Sequence, residues 1–413
     1  MSKKKILIFS YKLPYPLTQG GSIAQYYFLQ KLITFYDITF VTVVNNESQK
    51  RSLDKLQEKI PSLNIAYYQN QESNKKTFLQ RLNKFILKVQ KRIKGLLKIA
   101  IKEKIVARKT DFSDINDEKF FYFFKQIVNG TSYDLIQLEF YEALVLLPII
   151  PENMKKIVIH HEIRSKRNKL LNFKRSDYDI YINSLNEIVE NALLNCSDAV
   201  VVFNDEDKNY LKELNVPIYV SPFGIPEELI QKKEASKEFK RFLFIGGEFH
   251  YPNKEGLEWF LDTIYIPNSN VISWPIYIIG FWSNTVINKY ALYENIIFSG
   301  YVSDLDSYYE ASVMIVPILS GSGIRTKILT SFANKVPVFA TEFASEGMLD
   351  FENGNSHIAL FNSNSEFLNL FLDKNVNDLI ELSNNGFQYY MSTFSNDKLL
   401  DRRICAIESI LKR

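Results

Sequence analysis

The segment Val316–Leu329 (VPILSGSGIRTKIL) gathers residue types suited to holding an anion. An apolar run ends near Leu319, a Gly-Ser-Gly turn follows, and helical periodicity starts near Ile324. Gly321 and Gly323 allow the backbone to approach a ligand closely, and a helix N-terminus offers unpaired N–H groups and partial positive charge. Arg325 and Lys327 place two cations in that first turn, where the helix dipole disfavours them. An anion held between them resolves the conflict, and a diphosphate is the natural candidate. A plain strand–turn–helix with two solvated bases fits the same spacing, so both readings stand. Two smaller clusters are similarly placed. Gly20 and Gly21 separate the first apolar run from the helical stretch Ile23–Tyr36, as a phosphate-facing turn or as a simple helix start. His160 and His161 end a further apolar run, where doubly wound sheets carry functional side chains, although a lone strand-end His is more often structural.

The elements needed to position these residues are legible in the chain. Short β-branched or aromatic runs occur at Ile6–Ser10, Ile38–Val44, Asn64–Gln69, Leu135–Phe140, Lys156–His161 and Ala199–Phe203. Helical periodicity fills several gaps between them, as at Ile23–Tyr36 and Asp179–Leu194. Most of the runs are continuously apolar, which suits parallel strands covered on both faces. The segment Val216–Glu228 carries three prolines and a glycine and reads as a domain junction. A second series follows at Phe242–Gly246, Ile276–Gly280, Ile296–Tyr301, Val313–Leu319, Pro337–Thr341 and Ile358–Phe361. The pattern predicts an α/β protein of two Rossmann-like doubly wound domains, residues 1–220 and 221–395, facing across a cleft. A C-terminal helix in 396–413 is expected to pack back on the first domain.

The stretch SGSGIRTKIL with FANKVPVFATEFASEGM resembles the donor site of bacterial family 4 (group 1) glycosyltransferases of the GT-B fold, whose usual pattern is roughly GSGTRxKILEAxAxGxPVVxTxxGxEG. Agreement runs from Gly321 to Met348 and includes Arg325, Lys327, Pro337, Thr341, Glu346 and Gly347. Further islands match in order: Tyr15–Pro16 with Gly20–Gly21, Tyr133–Phe140 (YDLIQLEF), His161–Glu162 before Arg164, and Phe244–Asn253 (FIGGEFHYPN).

The resemblance implies transfer of a sugar from a nucleotide-diphosphate donor, bound mainly by the second domain, to a saccharide or lipid-linked acceptor on the first. Anomeric configuration would be retained, and neither a metal nor a resident cofactor would be needed. Arg325 and Lys327, with the loop Gly321–Ser322–Gly323, would hold the leaving diphosphate, and Lys254 is a further phosphate candidate. Gly20 and Gly21 would lie across the cleft from them, and His161 would contact the donor sugar near the reacting carbon. One departure matters: Thr330 stands where the family carries the Glu expected to bind the ribose hydroxyls. Loss of a charged hydrogen bond costs about 1.5–3 kcal/mol, and Glu346 is a nearby acid that would compensate. Thr330 also supports a second reading, a non-catalytic GT-B partner or adaptor protein.

Composition sets the outer bounds. The 413 residues carry 50 Lys plus Arg and 47 Asp plus Glu, a net +3 that conceals an uneven distribution. Between Lys75 and Lys109 there are 13 basic residues and one acid, Glu103, which leaves 37 basic and 46 acidic residues for the rest. Within that segment Phe78, Leu82, Phe85, Ile86, Val89 and Ile93 recur at helical spacing while Lys84, Lys88, Lys91, Arg92 and Lys98 fill other positions. Such a helix suits an anionic membrane surface first, each base contributing about 1 kcal/mol, and next the solvated face of a packed helix. Nucleic acid is the weaker alternative, because the remaining body is acidic and carries no nucleic-acid motif. The two cysteines, Cys196 and Cys405, have no pairing pattern, which excludes a disulfide framework. No apolar stretch approaches the roughly 18 residues of a spanning helix. A cytoplasmic protein, peripheral on the inner membrane face, is therefore expected.

Overall fold

A computed structural model describes residues 3–69, 118–170, 176–230, 234–302, 304–349, 354–394 and 396–412. The basic segment, with Lys84, Lys88, Lys91, Arg92 and Lys98, lies outside the described residues. Two parallel sheets form the framework. The first has seven strands: β1 (Lys5–Phe9), β2 (Asp37–Val44), β3 (Asn64–Gln69), β4 (Leu135–Glu139), β5 (Lys156–Ile159), β6 (Ala199–Val202) and β7 (Ile218–Val220). They are ordered β3-β2-β1-β4-β5-β6-β7. The second comprises β8 (Arg241–Ile245), β9 (Ile276–Ile279), β10 (Ile296–Gly300), β11 (Ser312–Val316), β12 (Val338–Ala340) and β13 (Ala359–Leu360). Their order is β10-β9-β8-β11-β12-β13.

Burial explains the unbroken apolar runs. The central strands β1, β4, β5, β6 and β11 are buried almost throughout, whereas the edge strands β3 and β7 are only half-buried. Both sheets reverse strand order beside their first strand, β1 in one and β8 in the other. Such a reversal opens a crevice at the carboxyl ends of the strands. The Pro-rich segment departs from the sequence reading, because Ile218–Val220 inside it pairs with β6 and closes the edge of the first sheet. Three residues flanked by prolines give too short a pattern to stand out as a strand.

The closing helix Asn396–Leu411 packs against the helix Gly20–Leu32 of the first domain, with Leu399, Ala406, Ile407 and Ile410 in a shared core. The Tyr36 hydroxyl donates to Glu408 at 3.0 Å, and Ser409 donates to the Tyr219 hydroxyl at 2.7 Å. The chain thus crosses between the domains twice. Among the described residues, no helix is long and apolar enough to cross a membrane.

Candidate functional site

The wall of the cleft formed by the second domain is built on β11. After Val316 the chain turns through Gly321 (φ 119°) and Gly323 (φ 78°), a conformation that residues with a Cβ rarely adopt. A Cβ on Gly323 would also lie 2.9 Å from the His161 carbonyl of the other domain. The helix then starts at Thr326, two residues later than periodicity suggested, and runs to Ala333. Arg325 is its N-cap residue and makes no capping bond, so the first N–H groups keep no side-chain partner from that position.

The two cations of this wall have few partners. The Arg325 Nη1 donates to the Ser322 carbonyl at 2.8 Å and to the Gly323 carbonyl, while Nε and Nη2 are buried without a partner. Lys327 Nζ donates to Asn253 Oδ1 at 2.8 Å and lies 4.5 Å from the centre of the Phe244 ring. Burial, and then the charge of Arg325, push the Lys327 ammonium down to about 7. Burial also lowers Arg325, against the opposing carboxylates of Glu346, Asp207 and Glu162.

The opposite wall begins with the helix Gly20–Leu32, whose N-terminus faces that of Thr326–Ala333. A Cβ on Gly20 would stand 3.0 Å from the Thr326 methyl group, and one on Gly21 would enter the Phe140 ring at 2.7 Å. Two helix N-termini therefore converge on one place, an arrangement that favours bound anions. His161 lies beside them, its side chain 6% exposed, with Nε2 hydrogen-bonded to the Glu139 carboxylate. Its ring stacks on Phe140 (centroids 3.7 Å apart) and meets the edge of Phe203. Burial lowers its basicity against the pull of Glu139, and Lys12 and Arg403 lower it further. His160 points to the other side, fully buried and 2.7 Å from Glu190, so of the two only His161 reaches the cleft.

Known proteins share this fold. Residues 239–369 match the family model of glycosyl transferases group 1. A 44.6 kDa uncharacterized protein in the cps region of Klebsiella pneumoniae is 22% identical, over 96% of this chain and 97% of its own. Among solved structures, sucrose-phosphate synthase of Thermosynechococcus elongatus superposes with a TM-score of 0.67 at 13% identity, covering 99% of this chain and all of that one. HepE of Anabaena in complex with UDP-glucose gives 0.64 at 10% identity, with 98% and 99% covered. TarM of S. aureus in a complex that includes UDP gives 0.62 at 15%, with 97% and 99% covered. The chain has the GT-B fold, and its second domain carries the match to the group 1 glycosyl transferases.

The other candidates occupy the GT-B cleft in different ways. Ser322 is part of the loop, its hydroxyl buried without a partner. Lys254 sits near the mouth but is paired with Glu248 at 2.7 Å. That hydrogen bond first, and then those from Ser283, hold the Glu248 carboxyl down to about 2. Thr330 is buried in the helix, its hydroxyl donating to the Thr326 carbonyl at 2.7 Å. Glu346 spans the cleft: one oxygen takes Lys166 of the first domain at 2.6 Å and the other is buried without a partner. Lys166 also meets Asp207 at 2.7 Å. Among the described residues, no group of three or more His, Cys, Asp or Glu side chains is placed to hold a metal.

Three contributors escaped the sequence reading: Glu139, Asn253 and Lys166. Glu139 had a visible signal, since Gln137 and Glu139 alternate within an otherwise apolar strand that is buried end to end. Lys166 had none, because its two partners are 41 and 180 positions away.

Proposed function

We propose that the protein is a metal-independent, retaining glycosyltransferase. It moves a sugar from a nucleotide-diphosphate donor to a saccharide or lipid-linked acceptor during synthesis of a cell-surface glycan. The observation that carries this reading is the pair of cations on the second wall, Arg325 with two unpartnered buried nitrogens and Lys327 with no carboxylate, opposite a second helix N-terminus. A buried cation without an anion costs several kcal/mol, so the site is incomplete until an anion enters. A diphosphate supplies the charge and accepts from both side chains and from backbone N–H groups of the uncapped helix.

The same contacts do chemical work. As the bond from the anomeric carbon to the diphosphate oxygen lengthens, negative charge gathers on that oxygen. Donors already aimed there stabilise the charge without reorganising. No metal is required for this if Arg325 and Lys327 carry the load. The other wall would hold the sugar, with His161 presented at the end of β5 and the acceptor approaching over the first domain. The relative in a cps region supports a place in glycan assembly, and the UDP and UDP-glucose complexes of TarM and HepE support a uridine donor. A cytoplasmic enzyme held at the inner membrane face accords with the cationic composition of residues 75–109.

Calorimetry with UDP, GDP, ADP and their glucose conjugates in EDTA tests the reading directly. Binding of at least one diphosphate without metal is expected, followed by its release from the matching sugar conjugate when acceptor is added. The adaptor reading draws on Thr330, whose short hydroxyl is bonded to its own helix. No binding by any nucleotide would favour it.

A further inference from the structure

We propose that Glu139 is a positioning residue for His161: it fixes the imidazole in the tautomer that carries hydrogen on Nε2 and turns an unprotonated Nδ1 toward the cleft. The argument starts from hydrogen-bond inventory. A carboxylate only accepts, so the His161 nitrogen that meets it must donate. Nε2 is that nitrogen. The remaining nitrogen, Nδ1, has no hydrogen-bond partner among the described residues and lies 3.9 Å from the Cβ position of Gly21, where the two helix N-termini meet. A neutral ring so held presents a lone pair there, able to accept from a sugar hydroxyl.

Everything around the pair restrains it. Glu139 is the last residue of β4 and is itself 5% exposed, with Gln137 donating to its other oxygen at 2.5 Å. The next residue, Phe140, has φ 69°, a left-handed conformation rare for an aromatic residue, and this places its ring flat on the imidazole. Arg403, fully buried on the C-terminal helix, has two guanidinium nitrogens without partners and interacts electrostatically with Glu139 and with His161. The charged groups facing His161 are thus Glu139, Glu142, Lys12 and Arg403. Glu139 attracts a proton to the ring, and burial with the two cations opposes it. Neutrality with the hydrogen kept on Nε2 is the outcome.

The kinetic consequence rests on the proposed function, through contact of His161 with the donor sugar, whereas the tautomer does not. The decisive experiment is NMR on the full chain with isotope-labelled histidine, which has only four histidines to resolve. The His161 signal is assigned by its loss in His161→Gln. Wild-type protein is expected to show His161 neutral and protonated on Nε2 alone at pH 7. In Glu139→Gln the ring loses that exclusive tautomer and titrates at lower pH, and Glu139→Asp restores the tautomer in part. A wild-type ring protonated on Nδ1, or a Glu139→Gln ring identical in tautomer and titration, overturns the proposal. If Glu139→Gln does not fold, the wild-type tautomer and the Asp variant still decide. Where transfer is measurable, Glu139→Gln should lower kcat about 100-fold with little change in donor KM, as expected for misplacement near a reacting centre. Absence of transfer in every variant, with the tautomer as stated, would count against the proposed function and leave the positioning role standing.

Discussion

The two walls of the cleft solve opposite problems. On the first, the functional side chain is secured: the imidazole of His161 is bonded to Glu139, flanked by Phe140 and Phe203, and backed by Arg403. On the second, the functional side chains are left wanting, since Arg325 has free buried donors and Lys327 has only the neutral Asn253. Helix starts repeat the contrast. Asn46, Ser176, Asn204, Ser283, Ser363 and Asn375 each cap a helix with a side chain. At Arg325, as at His250 before the neighbouring helix Tyr251–Phe260, no side-chain capping bond forms. A protein that caps helices routinely has left uncapped those beside its cation pair. The difference marks one wall as a pre-set frame and the other as a receptor for charge.

Removing the receptor's strongest donor should produce the largest effect. Arg325→Ala is expected to weaken binding of the nucleoside diphosphate about 10- to 100-fold, the worth of hydrogen bonds to a charged group, measured by calorimetry. The same change deletes a buried, underpaired cation, so the melting temperature of the ligand-free protein should not fall. A large drop in melting temperature with unchanged affinity would make Arg325 a structural residue and erase the contrast.

Lys327 gives a graded test through pH. Its ammonium is pushed down to about 7 when the site is empty. A diphosphate beside it favours the charged form, so binding above pH 7 takes up a proton. Affinity should therefore be flat below pH 7 and fall about tenfold per pH unit above it, until the pKa of the bound state is reached. Lys327→Met should flatten this profile at the weak limit. Stability of the empty protein has the opposite slope. The unfolded chain holds its lysine proton up to about 10.5, whereas the folded one releases it near 7, so stability should rise with pH across that window. The slope is at most about 1.4 kcal/mol per unit, readable by urea titration against Lys327→Met.

Much of this frame was legible from residue order, and the exceptions have physical causes. Apolar or β-branched runs, most of them continuous, marked twelve of the thirteen strands among the described residues, because a parallel sheet buried on both faces favours them. Gly321, Gly323, Arg325 and Lys327 were legible because turn, helix start and charge fall within seven consecutive residues. What escaped was whatever depends on distant pairing. Glu139 acquires its role only when β4 and β5 lie side by side, with Glu139 opposite Ile159 and His161 just beyond. Whether a lysine is free or neutralised is equally invisible in sequence, and here Lys254 and Lys327 separate.

That separation yields the smallest expected effect. Lys254 and Lys327 were both candidate phosphate contacts, and both lie close to Asn253. Lys254, however, has a carboxylate 2.7 Å away and is about one-third exposed, whereas Lys327 has neither an acid partner nor comparable access to water. Glu248 holds Lys254 charged and engaged, so a diphosphate would have to displace that carboxylate to gain the ammonium, with little net benefit in a solvated setting. Lys254→Met should accordingly change diphosphate affinity by less than about threefold, within the range of a surface ion pair. Its pH profile should retain the wild-type slope, because the titrating group is elsewhere. A loss as large as that of Arg325→Ala would mean that donor binding breaks the Lys254–Glu248 pair. The receptor would then extend to the mouth of the cleft, and the contrast between paired and unpaired cations would no longer predict which of them holds the ligand.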